Sequence, residues 1–136
     1  MPPRIKDSKD PIKLVRSGIF ALNRKKWAKA ARKFEQALKD EEVQQNAIIW
    51  ANYGVALTNL KNYKVALSAF TAAAQLEGKN GELWLKKGLV EYQLELFHDA
   101  EKSFSRAGKL DKNNDEIPIL MSRCSHKRND LKKAII

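Results

Sequence analysis

Residues 47–80 read AIIWANYGVALTNLKNYKVALSAFTAAAQLEGKN, and residues 81–114 read GELWLKKGLVEYQLELFHDAEKSFSRAGKLDKNN. Laid one under the other without a gap, they place Trp50 over Trp84, Gly54 over Gly88 and Leu60 over Leu94. Ala66 then meets Ala100, Phe70 meets Phe104, Ala73 meets Ala107, Leu76 meets Leu110 and Asn80 meets Asn114, while Tyr63 and Phe97 pair as aromatics. Agreement at a fixed period of 34 residues means that one structural unit is repeated along the chain. A shift of 36 residues brings Gly18, Trp27, Ala30, Phe34 and Ala37 under Gly54, Tyr63, Ala66, Phe70 and Ala73. The two additional residues are expected near Gln44–Asn46, where a loop can absorb them.

Each unit reads as two helices. Ile49, Trp50, Tyr53, Leu57 and Leu60 recur at three- and four-residue steps, as do Val65, Ala66, Ala69, Phe70, Ala73 and Leu76. Only Lys61-Asn62 separates the two runs, so the helices must be antiparallel neighbours joined by a tight turn. Gly54, Ala66 and Ala73 let them approach closely, and Trp50, Tyr53 and Phe70 fill the remaining volume. Helix starts are signalled separately by Asp10-Pro11 and by Asn46, Asn80 and Asn114 at the unit junctions. Pro118 falls in a first turn, where its missing N–H costs little.

Composition sets the class. The chain has 136 residues, 43% of them hydrophobic and 31% charged, which suits one folded domain. No apolar run is long enough to span a bilayer, and the charged start Met1-Pro2-Pro3-Arg4-Ile5-Lys6 does not read as a secretory signal. A single cysteine, Cys124, cannot form an internal disulfide. A cytoplasmic location is expected from these features. The formal net charge is +10, and most of the surplus lies in residues 1–46, with twelve Lys/Arg against six Asp/Glu. Such a surplus attracts nucleic acid, anionic surfaces or acidic protein segments without choosing among them.

The pattern resembles the tetratricopeptide repeat, a 34-residue unit with an early Trp, a small residue in its first helix and Ala…Phe…Ala on its second. The resemblance implies an all-α fold, a right-handed α-solenoid of antiparallel helix pairs. In its frame residues 1–10 form an N-terminal extension, and units span 11–44, 47–80 and 81–114, with a partial unit at 115–136. Leu14 replaces Trp in the first unit, and Pro118 and Ser122 replace Trp and Gly in the last. Asn129-Asp130 reads as a turn into one more helix of Leu131, Ala134, Ile135 and Ile136. So short a helix would leave the terminal apolar face open, to be covered by further chain, a partner or a second copy.

The family's groove is lined by the first helix of each pair. That frame assigns a peptide-binding groove to Ile12, Val15, Ile19, Asn52, Val55, Asn59, Leu85, Lys86, Leu89, Tyr92 and Gln93. Leu22, Ile48, Glu82, Ile119, Leu120, Arg123 and Lys127 fall at further groove positions. The strip is largely apolar, which suits an amphipathic helix or an extended segment with apolar anchors. Many family members clamp the carboxylates of chaperone tails with Lys and Asn, then Asn, then Lys and Arg. Here Val15 and Ile19, then Asn52, then Glu82 and Lys86 stand at those places. Glu82 would repel a carboxylate, so no clamp of that kind is expected.

Two other partner classes remain open. Lys25, Lys29, Arg32 and Lys33 form a possible basic patch for nucleic acid or an anionic surface, read as opposite Ala30, Phe34 and Ala37. An uncovered end would allow self-association. Catalysis has little support: His98 and His126 are far apart in sequence, and Ser125 and His126, being adjacent, point in different directions on a helix. Cys124 reads as a small packed residue. No enzyme activity, cofactor or metal is expected.

Overall fold

The computed structural model describes residues 10–135, the last of these by its backbone alone. Its helices are α1 Pro11–Asn23, α2 Trp27–Ala37, α3 Ala47–Asn59, α4 Tyr63–Leu76, α5 Gly81–Gln93, α6 Phe97–Leu110 and α7 Glu116–Ile135. Among the described residues there is no strand. The N-terminal extension, apart from Asp10, lies outside the described residues, as does Ile136. Each helix packs mainly on its neighbours in the chain, α1 on α2, α2 on α3 and so on to α7. The result is a one-dimensional stack of helix pairs.

The first helix of every unit starts the same way. Asp10, Asn46, Asn80 and Asn114 each accept a hydrogen bond on the side-chain oxygen from the backbone N–H two residues on, at 3.0 to 3.1 Å. These acceptors satisfy donors that a helix N-terminus leaves unpaired. The turns inside the pairs are also alike. Lys25, Lys61 and Glu95 sit at φ near 60°. Past each of them, an N–H from Lys26, Asn62 or Leu96 reaches back to Ala21, Leu57 or Glu91 at 2.9 Å. This is the helix ending that glycine usually supplies, built here from three residues with side chains.

The seams inside the pairs rest on glycine against phenylalanine. A Cβ on Gly18, Gly54 or Gly88 would lie 2.6 to 2.7 Å from the ring of Phe34, Phe70 or Phe104. Those rings are buried, and Ala30, Ala66 and Ala100, with Ala37, Ala73 and Ala107, are closed off beside them. Ser122 stands at the fourth such place and is exposed, since no described helix returns across it. The two additional residues of the first unit fall in the connection from α2 to α3, which contains a 3₁₀ turn at Val43–Gln45. Asp40 caps that turn by accepting from the N–H groups of Glu42 and Val43 at 3.0 and 3.2 Å. The indole N–H of Trp50 donates to the carbonyl of Gln44, and that of Trp84 to Gly78, both at 2.9 Å. Each Trp thereby ties the connection before its helix to the helix itself.

The far end departs from the sequence expectation. Asn129-Asp130 makes no turn, and α7 runs unbroken to Ile135. A new helix would need a fresh nucleus, whereas extending α7 adds one hydrogen bond per residue. Ile117, Leu120 and Cys124 bury the inner face of α7 against α6. Arg128 Nη1 lies 2.8 Å from Glu101 Oε2, and the Ser125 hydroxyl donates to Glu101 Oε1. On other sides of α7 Pro118, Ser122, His126, Asn129 and Lys133 are exposed, with Ile119 and Leu131 the larger apolar exceptions. The helix thus covers the third pair and presents a mostly polar surface of its own.

Candidate interaction groove

The first helices of successive units come together in turn, α1 against α3 and α3 beside α5 at a shared cleft, so residues at one register position can line one face. Burial separates the expected groove residues into two groups. Ile12, Ile19, Leu89, Asn59 and Gln93 are exposed, with Ile12 at 63%. Val15, Asn52, Val55, Leu85, Lys86 and Tyr92 are half-buried. Val15 and Val55 pack on the core of the first two pairs, and Leu85 and Tyr92 on the core shared by α6 and α7. Tyr92 also meets the ring of Phe97 edge-on at 5.2 Å between centroids. Leu120, expected to line the groove, is instead buried at 7% exposure in the core that α6 and α7 share.

Two clefts draw members of the set together. Val55, Asn59, Lys86 and Leu89 share one of about 160 Å³ with Thr58, between α3 and α5. The Thr58 hydroxyl donates to Gly54 O at 2.7 Å, and Asn59 Nδ2 to Val55 O at 2.9 Å, so the Asn59 amide keeps one N–H for a ligand. Lys86 Nζ lies 3.8 Å from Glu82, an exposed pair of little energetic weight. Ile12 and Val15 belong to a second cleft of about 430 Å³, which also reaches Val43 and Ile49. Asp10, Asp40 and Glu42 stand around this second cleft. Its acidic rim could not be read from the sequence, because Asp40 and Glu42 come from a loop that only the fold brings beside α1.

Phe20 is another exposed apolar residue, at 60%. Its equivalents Ala56, Val90 and Cys124 are buried by the pair before them, and α1 has no described pair before it. The Arg24 guanidinium lies 4.7 Å from the Phe20 ring centroid. In the basic patch Lys25, Lys29 and Arg32 are exposed, but Lys33 is half-buried. Lys33 occupies the place of Ala69 and Ser103, three residues from Ala30 and four from Ala37, so it flanks the inner face of α2 instead of opposing it.

Two ionisable side chains, Cys124 and Tyr53, are displaced from their ordinary values. Burial is the main cause that pushes the Cys124 thiol up to about 11, and the charges of Glu101 and Glu91 add to it against Arg128. Tyr53 is raised by burial and then by Glu35. Among the described residues no three His, Cys, Asp or Glu side chains gather as a metal site. No helix among them is long and apolar enough to cross a membrane.

Comparison with known proteins agrees with the helix-pair geometry. A family model described as tetratricopeptide repeat matches residues 18–80 and 59–115. The chain is similar to a DnaJ homolog subfamily C member 7 homolog of Dictyostelium discoideum, 23% identical over 138 residues. That match takes in 93% of this chain but only 26% of the relative's length. Among solved structures it is similar to the first TPR of Spaghetti (RPAP3) bound to an HSP90 peptide, SRMEEVD, with a TM-score of 0.76 and 22% identity. That alignment covers 88% of this chain and 94% of the other. The Arabidopsis OM64 TPR domain follows with a TM-score of 0.75 and 23% identity, over 86% of this chain and 95% of that one. With the period, the glycine–phenylalanine seams and the family match in agreement, the chain belongs to the tetratricopeptide repeat family.

Proposed function

We propose that the chain is a non-catalytic protein–protein interaction scaffold that holds a partner peptide or helix in its groove. The observation that carries this reading is the cleft between α3 and α5, where Val55, Asn59, Lys86 and Leu89 meet. Apolar anchors on the partner would bury themselves against Val55 and Leu89, while Asn59 and Lys86 offer polar contacts. Three or four such anchors are worth several kcal/mol before the cost of association, enough for an affinity of roughly micromolar order. The RPAP3 domain that this chain resembles is bound to the HSP90 peptide SRMEEVD, in which Glu, Glu and a final Asp are acidic. At the clamp positions this chain carries Val15, Ile19 and Glu82, so the partner proposed here does not depend on a terminal carboxylate.

The test pairs wild type with a Val55→Lys/Leu89→Lys variant as baits in native lysate, after circular dichroism shows equal helicity. A protein captured by wild type alone, and then bound as a purified segment, supports the groove. Equal recovery by both baits, or salt-sensitive nucleic acid alone, defeats it and moves attention to Lys25, Lys29 and Arg32. A micromolar complex with SRMEEVD that is lost on Asn52→Ala would overturn the exclusion of clamp ligands.

A further inference from the structure

The second cleft sets carboxylates around apolar surface. Ile12, Val15, Val43 and Ile49 supply apolar surface, and α1, α3 and the loop between α2 and α3 each contribute to it. Among the described residues its polar surroundings include Asp10, Asp40 and Glu42, with Arg16 the one described cationic residue on the lining. On a chain of formal net charge +10, carboxylates outnumber cations three to one among the described lining residues. Asp10 and Asp40 already accept backbone N–H bonds, from Ile12 and from Glu42 and Val43. Those bonds hold one oxygen of each carboxylate in place and leave each a second oxygen able to accept further bonds.

We propose that this cleft binds a lysine or arginine placed beside an aliphatic residue in the partner peptide. The aliphatic side chain enters between Ile12, Val15 and Ile49, and the cationic head meets the carboxylates at the rim. This deepens the groove reading and rests on it, because Ile12 and Val15 belong to both. It also sets direction: the cationic part of the partner lies over α1, and its purely apolar anchors lie over α3 and α5.

The experiment is selection of phage-displayed random dodecapeptides on the full chain, with affinities of enriched peptides measured at low and moderate salt. A triple variant, Asp10→Asn, Asp40→Asn and Glu42→Gln, removes the charges but keeps the backbone caps, since Asn accepts the same bonds. The expected result is enrichment of Lys or Arg next to Ile, Leu or Val on wild type. Peptides so enriched should bind the triple variant about tenfold more weakly at low salt, and the difference should shrink as salt rises. No charge preference, a preference for Asp or Glu, or the same basic pattern on the triple variant would overturn the proposal. A basic pattern that emerges only after Arg4, Ile5 and Lys6 are replaced by serine would assign the cleft to the chain's own N-terminus and overturn a partner in trans. The Val55→Lys/Leu89→Lys variant separates the two readings. If it still selects basic–aliphatic peptides that the triple variant does not hold, the cleft stands and the middle of the groove fails. If it selects nothing while wild type shows no basic preference, the groove stands and the cleft fails.

Discussion

The second and third helix pairs use one backbone frame and fill it with different chemistry. In the second pair Leu57 on α3 and Ala69 on α4 are buried at 5% and 1% exposure. In the third pair their places are taken by Glu91 and Ser103, buried as deeply at 3% and 2%. The Ser103 hydroxyl donates to Glu91 Oε1, and Lys87 Nζ donates to Glu91 Oε2 at 3.1 Å and to Ser103 at 3.4 Å. Lys87 stands where Tyr53 stands in the second pair, and both it and Arg106 lie over the Trp84 ring. A helix pair of this kind therefore accepts a buried carboxylate without changing shape, provided every polar atom finds a partner. The glycine–phenylalanine centre of the seam is the same in both pairs, and it leaves the flanking positions free to differ.

Breaking the polar seam should have the largest effect. Glu91→Ala strands the Lys87 ammonium and the Ser103 hydroxyl, and should cost about 3 kcal/mol of unfolding free energy in urea titration. Giving the third pair the second pair's residues, Lys87→Tyr with Glu91→Leu and Ser103→Ala, should return stability to within about 1 kcal/mol of wild type or above it. A neutral outcome for Glu91→Ala would mean that the two seams are energetically alike after all.

The stacking position held by Ala56 in the second pair and Val90 in the third is Cys124 on α7, and here the contrast is one of pH. Because the folded thiol sits near 11 and its ordinary value is 9.0, the unfolded chain loses its proton first as pH rises. The folded state then binds more protons than the unfolded one, so stability falls from about pH 9 toward 11. Across that window wild type should lose on the order of 2 kcal/mol relative to its own value near neutrality, a loss that Cys124→Ala should not share. Parallel unfolding curves of the two proteins at pH 8 and pH 10.5 provide the check. Native Cys124 should also stay unmodified by a thiol reagent until the chain unfolds.

Gly54→Ala and Gly88→Ala test what the two pairs share. Each should lose about 1 to 2 kcal/mol, because crowding a phenylalanine ring outweighs the better helix propensity of alanine. Ser122→Ala, with no ring across from it, should be near neutral. A large difference between the two glycines would show that the polar seam yields more easily than the apolar one. The smallest effect is expected at the turns, where Lys61→Gly and Glu95→Gly relieve a left-handed backbone conformation. Each should raise stability by up to about 1 kcal/mol, equally in the two pairs.

Much of this architecture is legible in the residues themselves. The period, the Asn caps at the junctions, the small residues facing aromatics and the additional loop length all follow from local chemistry repeated in register. The meeting of Val55 and Leu89 in one cleft was legible for the same reason, since they occupy one register position. Other features were not. Glu91 reads as one more solvated charge until Ser103, on the next helix, is brought against it. Lys33 reads as part of a stripe until its place beside Ala30 and Ala37 is fixed. Leu120 reads as a lining residue until α6 closes over it.

The sequence by itself determined the helix pairs, their starts and turns and the order in which they stack, because caps, periodicity and steric fit act over a few residues or across one tight turn. Tertiary structure alone decided which polar groups are buried, that α7 continues past Asn129 as a single helix, and that Asp10, Asp40 and Glu42 surround one apolar cleft. The physical reason is common to all three. Burial, the worth of a charge and the profit of forming another helix depend on what lies across the gap, and that neighbour comes from a distant part of the chain.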